Sequence, residues 1–189
     1  GIDLDVDFLK EMGKKFKKEI DKLTKKIYKL AGSEFNIASP LQLKVVLFED
    51  LKISTQGIKK TKTGISTAAS ELEKMKDSHA IIPMIVEYRE LTKLQSTYIL
   101  ALPKLINPKT DRVHTSFNQS VTTTGRLSSS EPNLQNIPIR TELGRQIRRG
   151  FVAPKNYTLL AADYSQIELR LAAAISKDPK MMASFKKGE

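Results

Sequence analysis

Cysteine is missing from all 189 residues. That excludes disulfide bridges and thiolate metal centres, and it fits a reducing, cytoplasmic setting. Histidine is nearly missing too: His79 and His114 stand far apart and lack the spacing of a metal-ligand pair. No apolar run approaches the roughly 18 residues of a membrane-crossing helix, and no secretory leader is visible at the start. Internal repeats and long low-complexity tracts are also lacking, which excludes repeat architectures. Acids are in short supply: 21 Asp and Glu against 32 Lys and Arg leave a net charge of +11. Such an excess suits a polyanionic partner, although a solubilising surface accounts for it equally well. The chain opens on Gly1 rather than methionine, which points to a piece of a longer polypeptide. Its length allows a real core in one or two domains.

What is present begins with an amphipathic helix predicted over residues 5–31. Leu9, Met12, Phe16, Ile20, Leu23, Ile27 and Leu30 recur at helical spacing, lysines cover the other faces, and Gly32 is a natural stop. Ser39-Pro40 starts a short helix, with Leu41, Val45, Leu47 and Phe48 as its packed residues. Residues 52–65 are polar, basic and glycine-containing and read as a loop, after which Ser66 or Thr67 caps another short helix. A long helix is expected from Ala80 to Leu102, ended by Pro103 and Pro108. From there the composition changes. Residues 112–119 favour a strand, residues 122–140 form a polar loop, and Glu142 to Arg149 suits a short basic helix. Asp178-Pro179 precedes a last short helix, Met181 to Lys187. The fold class is α+β, with a helical part first and a mixed part after a boundary near 105–110.

The most informative stretch lies late in the chain. Tyr157 to Ala162 is an apolar run that reads as a buried strand. Asp163-Tyr164-Ser165-Gln166-Ile167-Glu168-Leu169-Arg170 follows, leading into a helix at Leu169 to Ile175. A carboxylate at a strand end is well placed to hold a hard cation and a phosphate. Taken alone, Asp163 also reads as a helix N-cap, and Glu168 as an acid on a helix surface.

This octapeptide, with Thr124-Gly125-Arg126-Leu127-Ser128-Ser129-Ser130 and Pro132-Asn133-Leu134-Gln135-Asn136-Ile137-Pro138 upstream, resembles the family A DNA polymerases, the bacterial DNA polymerase I group. Ile27 to Gly32, Lys60 to Gly64, Leu91 to Tyr98 and His114 to Gln119 resemble successive thumb and early-palm segments in the family's order. The resemblance implies a helical thumb over residues 1–106. It implies the N-terminal part of a mixed or antiparallel-sheet palm, with its first motif, over residues 107–189. Fingers and the rest of the palm are absent.

The resemblance also assigns roles. Asp163 becomes a ligand of Mg2+, two ions in a complete enzyme, and Tyr164 adds its backbone carbonyl. Glu168 becomes the gate against a ribose 2′-OH, with Gln166 and Ile167 beside it in sugar and nucleotide selection. Arg126 checks base-pair shape in the minor groove, where purine N3 and pyrimidine O2 are shared acceptors. Asn133, Gln135 and Asn136 contact the duplex, with Asn118 and Gln119 as weaker candidates; bracing of their own loop is the alternative for these amides. Lys59, Lys60, Thr61, Lys62 and Thr63 form a thumb tip that touches phosphates. Arg89, Thr92 and Lys93 lie on a DNA-tracking helix, which Arg140, Arg145, Arg148 and Arg149 extend. The partners implied are primer–template DNA, a dNTP and the remainder of the polymerase chain.

Nothing in the chain matches the family's downstream His-Asp-Glu motif or its fingers helix. One carboxylate does not hold two divalent ions in register, so these 189 residues alone are expected not to extend a primer. Two alternatives remain open: a non-catalytic duplex-binding fragment, and one half of a split polymerase. A basic RNA-binding protein would need only the charge and leaves Asp163 to Arg170 unexplained.

Overall fold

The computed structural model describes residues 1–62, 64–139 and 141–188. Thr63 and Arg140 therefore lie outside the described residues. The chain forms two compact units, Gly1–Pro154 and the segment from Lys155 onward. About half of it is helical, with short antiparallel strand pairs, so the expected α+β class holds.

In the first unit, β1 (Asp3–Leu4) leads into α1 (Val6–Ala31). The Phe8 N–H donates to Asp5 Oδ1 (2.8 Å) and caps the helix start. Gly32 ends it in the left-handed conformation, φ 75°, with its N–H donating to the Tyr28 carbonyl. Leu9, Met12, Phe16, Leu23 and Ile27 are buried as their spacing predicts, with Ile20 and Leu30 at the margin. Gly13 sits on the same stripe, where a Cβ would come 3.0 Å from Ile99 Cγ2.

α2 (Pro40–Lys44) is capped by Ser39 and runs into a π-helical turn, Val45–Asp50. Leu43, Val46 and Leu47 are buried, whereas Leu41 and Val45 face solvent. The widened turn shifts the buried face by a residue from the one a regular helix would present. Inside the predicted loop, β2 (Lys60–Thr61) pairs with β3 (Gly64–Ile65). α3 (Ala69–Lys74) starts at Ala68 with no side-chain cap. The expected capping residues are used differently: Ser66 Oγ accepts the Ala68 N–H, and Thr67 is buried.

α4 (Ile81–Leu94) continues into a π-helical turn (Gln95–Ile99) and then a 3-10 turn (Leu102–Leu105). The single long helix expected here is thus three helical segments of different pitch, and Pro103 lies in the first turn of the last one. α4 and α1 pack face to face, and Ile81, Ile82, Ile85, Leu91 and Leu94 join the buried residues of α1 in one core.

The expected strand at 112–119 is divided. β4 (Ile106–Asn107) pairs with β5 (Arg112–Val113), and β6 (Ser116–Asn118) pairs with β7 (Ser128–Ser130) across the polar loop. α5 (Glu142–Arg148) is capped by Thr141, and β8 (Phe151–Val152) pairs with β1. Ile2 bridges Val113. Ile147 of α5 is fully buried in the core that α1 and α4 build. The change of character near residue 106 is therefore a change from helix to short strands inside one core. The compact-unit boundary falls after Pro154 instead.

The second unit holds α6 (Ile167–Ser176) and α7 (Pro179–Lys187), which pack on each other around Ala173. Asp178 Oδ1 caps α7, accepting from the Lys180 and Met181 N–H groups (3.0 and 2.9 Å). The strand expected at Tyr157 to Ala162 does not form: the segment has no regular secondary structure and is exposed, with Leu160 92% accessible. A strand needs a ladder partner for its N–H and C=O groups. No described segment of this chain pairs with it. Among the described residues no helix is long and apolar enough to cross a membrane.

Because Ile27 is fully buried at the centre of the first unit, Ile27→Ala should cost about 2–5 kcal/mol in urea unfolding. A loss below about 1 kcal/mol would mean that α1 does not pack into this core.

Candidate nucleic-acid interface

A groove of about 1060 Å³ in the first unit runs between α4 and the loop that follows β7. α4 contributes Glu90, Lys93 and Leu94, and its extension adds Thr97 and Tyr98. The loop contributes Asn133, Gln135, Asn136 and Ile137, and α5 adds Arg148. Lys93, Asn133, Gln135, Asn136 and Arg148 are all exposed, so two cations and three amides face water here.

The wall holding the amides is built by its own backbone bonds. Tyr98, buried in the core, donates its hydroxyl to the Asn136 carbonyl (2.6 Å). Burial pushes the pKa of this phenol above its ordinary value, so it stays a donor. Ser129 is buried, and its Oγ donates to Asn133 Oδ1 (3.0 Å) while accepting the Gln135 N–H (3.3 Å). The Gln135 N–H also reaches Asn133 Oδ1 (3.1 Å). The Asn133 carbonyl oxygen therefore braces the loop in an Asx-type turn, the alternative weighed for it above. Gly144 supports the same wall from behind: a Cβ there would stand 2.9 Å from the Pro138 carbonyl oxygen.

Other expected contact residues lie elsewhere. Asn118 Nδ2 donates to Ser130 Oγ (3.1 Å) across the β6–β7 pair, and Gln119 is exposed beyond it. Arg126 is exposed in a turn where Gly125 has φ 77°, and its carbonyl accepts from Thr122 Oγ1. None of these three lines the groove. On α4, Thr92 Oγ1 donates to the Tyr88 carbonyl (2.7 Å), and Arg89 donates to the Thr67 carbonyl. Burial lowers the Arg89 guanidinium from its very high ordinary value without discharging it. Lys93 is thus the member of the Arg89, Thr92 and Lys93 set that faces the groove. In the basic cluster near α5, Arg145 pairs with Glu142 (2.7 Å) and Arg149 lies over the Phe8 ring, which leaves Arg148 to line it.

Lys59, Lys60, Thr61 and Lys62 lie in and beside the β2–β3 hairpin. Lys60 and Lys62 are exposed, while Thr61 Oγ1 donates to the Gly64 carbonyl (2.8 Å). The Lys59 N–H donates to Glu71 Oε2 (3.0 Å). Glu71 was not anticipated; an acid inside a short helix carries no signal of a partner 12 residues away.

In the second unit, Asp163 and Tyr164 lie in the exposed segment before α6, and Glu168 is in the first turn of that helix. Asp163 precedes the helix by a turn rather than ending a strand. Gln166 takes the left-handed conformation, φ 51°, at the helix start, and Ile167 is the first helical residue. Arg170 donates from Nε to the Ser165 carbonyl (2.8 Å) and lies over the Phe185 ring, 4.8 Å from its centroid. This brace of the Asp163–Gln166 turn was not foreseen either. The Asp163 carboxylate suits a hard cation as one oxygen ligand. No cluster of three acids or histidines is assembled among the described residues.

The groove of the first unit, with Lys93 and Arg148 at its surface, suits a polyanion. The profile of DNA polymerase family A matches residues 6–189, and the chain belongs to that family. DNA polymerase I of Bacillus subtilis (strain 168) is 53% identical over 186 residues, covering 98% of this chain and 21% of that protein. The thermostable DNA polymerase I of Thermus aquaticus is 50% identical over 189 residues, covering 100% of this chain and 23% of that protein. A solved structure, the POL domain of Pol1 from M. smegmatis in complex with DNA primer-template and dNTP, is 40% identical with a TM-score of 0.90. It covers all of this chain, which spans 33% of it. The chain thus spans about a fifth of the length of the curated relatives it matches.

The Lys59 N–H, and then Lys74, hold the Glu71 carboxyl below its ordinary value of 4.5. A carboxyl whose folded value is depressed stabilises the fold above the unfolded value and loses that contribution as pH falls through the folded one. Wild type should therefore exceed Glu71→Gln in unfolding free energy above about pH 5, with the gap closing below 4.5. A gap independent of pH in chemical denaturation would contradict this.

Proposed function

We propose that this chain is the duplex-holding part, with one catalytic carboxylate, of a template-directed DNA polymerase. The observation that carries the reading is the groove that gathers Lys93, Asn133, Gln135, Asn136 and Arg148 in a member of family A. Residues 1–106 serve as the thumb and residues 107–189 as the N-terminal part of the palm. The parent enzyme works in the cytoplasm, where a primer's 3′-OH attacks the α-phosphorus of a dNTP and pyrophosphate leaves.

Each part of the chain has a task in that reaction. Lys93 and Arg148 meet phosphates, which gives affinity without sequence preference. Asn133, Gln135 and Asn136 meet the duplex edge from a wall that Tyr98 and Ser129 keep rigid, and Asn118 and Gln119 extend it. Arg126 tests the shape of the primer-terminal pair through the minor groove. Lys59, Lys60, Thr61, Lys62 and Thr63 form the thumb tip, and Arg89 and Thr92 hold the helix that presents Lys93. Asp163, with the Tyr164 carbonyl, would hold Mg2+, which would supply charge compensation for the phosphates and the attacking oxygen. Glu168, flanked by Gln166 and Ile167, excludes a 2′-OH.

A second reading, duplex binding without catalysis by these 189 residues alone, rests on the single carboxylate that the chain brings to a metal. The two readings separate in one experiment. The segment replaces its counterpart in Bacillus subtilis DNA polymerase I, and extension of a primer–template is measured. The chimera should extend, and Asp163→Ala in it should lose at least about a thousandfold in rate. The isolated chain should not extend at all. Activity of the chimera that survives Asp163→Ala would end the catalytic assignment.

Two further outcomes follow from the same parts. Glu168→Ala in the chimera should raise ribonucleotide over deoxyribonucleotide incorporation; unchanged sugar preference would remove the gate. In duplex binding by the isolated chain, Lys93→Ala and Arg148→Ala should each weaken affinity equally for unrelated sequences. Each should flatten the salt dependence by about one unit of slope. An unchanged slope would place these residues off the DNA.

A further inference from the structure

The β2–β3 hairpin has only two residue pairs, too few to hold a direction unaided. It is nevertheless tied to the core on both sides. On the incoming side, the Lys59 N–H donates to Glu71 Oε2 (3.0 Å). On the outgoing side, the Thr67 carbonyl accepts from Arg89. The Ser66 N–H closes the base onto the Lys59 carbonyl (2.9 Å).

Glu71 is an unusual residue for such a task. It is only 7% exposed, and Lys74 Nζ lies 3.0 and 2.9 Å from its two oxygens. The pairing offsets its charge, so it does not repel an approaching polyanion as a bare carboxylate would. The neighbouring Leu72 is fully buried and Met75 nearly so, which fixes α3, and with it the carboxylate, to the core. We infer that Glu71 is a positioning residue that latches the hairpin to α3, so that Lys60 and Lys62 are pre-aimed at duplex phosphates. The inference rests on the duplex-holding reading above. Its physical basis is entropic: lysines on an untethered loop must be ordered when they bind, whereas lysines on a latched hairpin are already in place.

The test is a mutant cycle on the 189-residue chain. Its probe is a fluorescently labelled primer–template duplex, read by anisotropy over a range of salt. Glu71→Ala should weaken binding about three- to tenfold and lower the salt slope by about one. Glu71→Gln keeps an acceptor for the Lys59 N–H, and the largely exposed Lys74 can turn to solvent, so it should stay within about twofold of wild type. In a Lys60→Ala/Lys62→Ala background, Glu71→Ala should add less than twofold, because the groups it aims are gone. Fully additive losses, or Glu71→Gln as weak as Glu71→Ala, would overturn the latch. Amide exchange at Lys59 in the free wild-type chain reads the tether without any variant. Protection supports the latch, and exchange at the rate of an open loop overturns it even if Glu71→Ala does not fold. A wild-type chain that fails to bind duplex would instead overturn the duplex-holding reading itself.

Discussion

The first unit depends on the packing of α1 against α4. A stripe from Met12 to Ile27 on one helix meets Ile81 to Leu94 on the other. Gly13 lets the two approach where a side chain would push Ile99 away. Three parts of the first unit are anchored to this pair. α3 anchors beside it through Leu72, α5 through Ile147, and the groove loop through Tyr98. Burial of apolar surface supplies the stability, and the polar parts are held in place by elements that have already been ordered.

The groove illustrates how a polar loop becomes a wall. Residues 122–139 hold little regular structure, and their backbone groups need partners. Tyr98, Ser129, Thr115 and Asn133 supply several of them, with Thr115 Oγ1 2.7 Å from the Pro132 carbonyl. Because the loop is braced through its main chain and a few buried hydroxyls, the amide side chains of Gln135 and Asn136 remain at the surface. The same bracing gives Asn133 two tasks, since its Oδ1 already accepts from Ser129 and Gln135.

Charge is distributed by local pairing rather than by the total. Of the lysines along α1, Lys14 and Lys22 meet acids three residues earlier, at 2.6 and 2.7 Å, exposed pairs that add little to stability. The cations that line the groove come from separate elements, Lys93 from α4 and Arg148 from α5. An excess of +11 is consistent with a polyanion, but the fold decides which of the cations converge.

Local chemistry was readable in advance because it needs only neighbours along the chain. The α1 stripe, Gly32 as its stop, Ser39 as a cap, and the short helix of α5 all follow from spacing and backbone bonding within a few residues. The motif residues were legible too, and with them the family. What depends on distant partners was not. Tyr157 to Ala162 has the composition of a strand but no strand to pair with in this chain. The long helix after Ala80 changes pitch twice, and the first compact unit runs on to Pro154 because β8 pairs with β1 and Ile147 of α5 joins the core of α1. The sequence by itself determined the helices, their ends and the residue types at the site. Only the tertiary structure decided that Lys93, Asn136 and Arg148 share a groove, that the Thr67 carbonyl engages Arg89, and that the Glu71 carboxylate takes up the Lys59 N–H. Each of these is a meeting of residues far apart in the chain, set by how a common core folds them together.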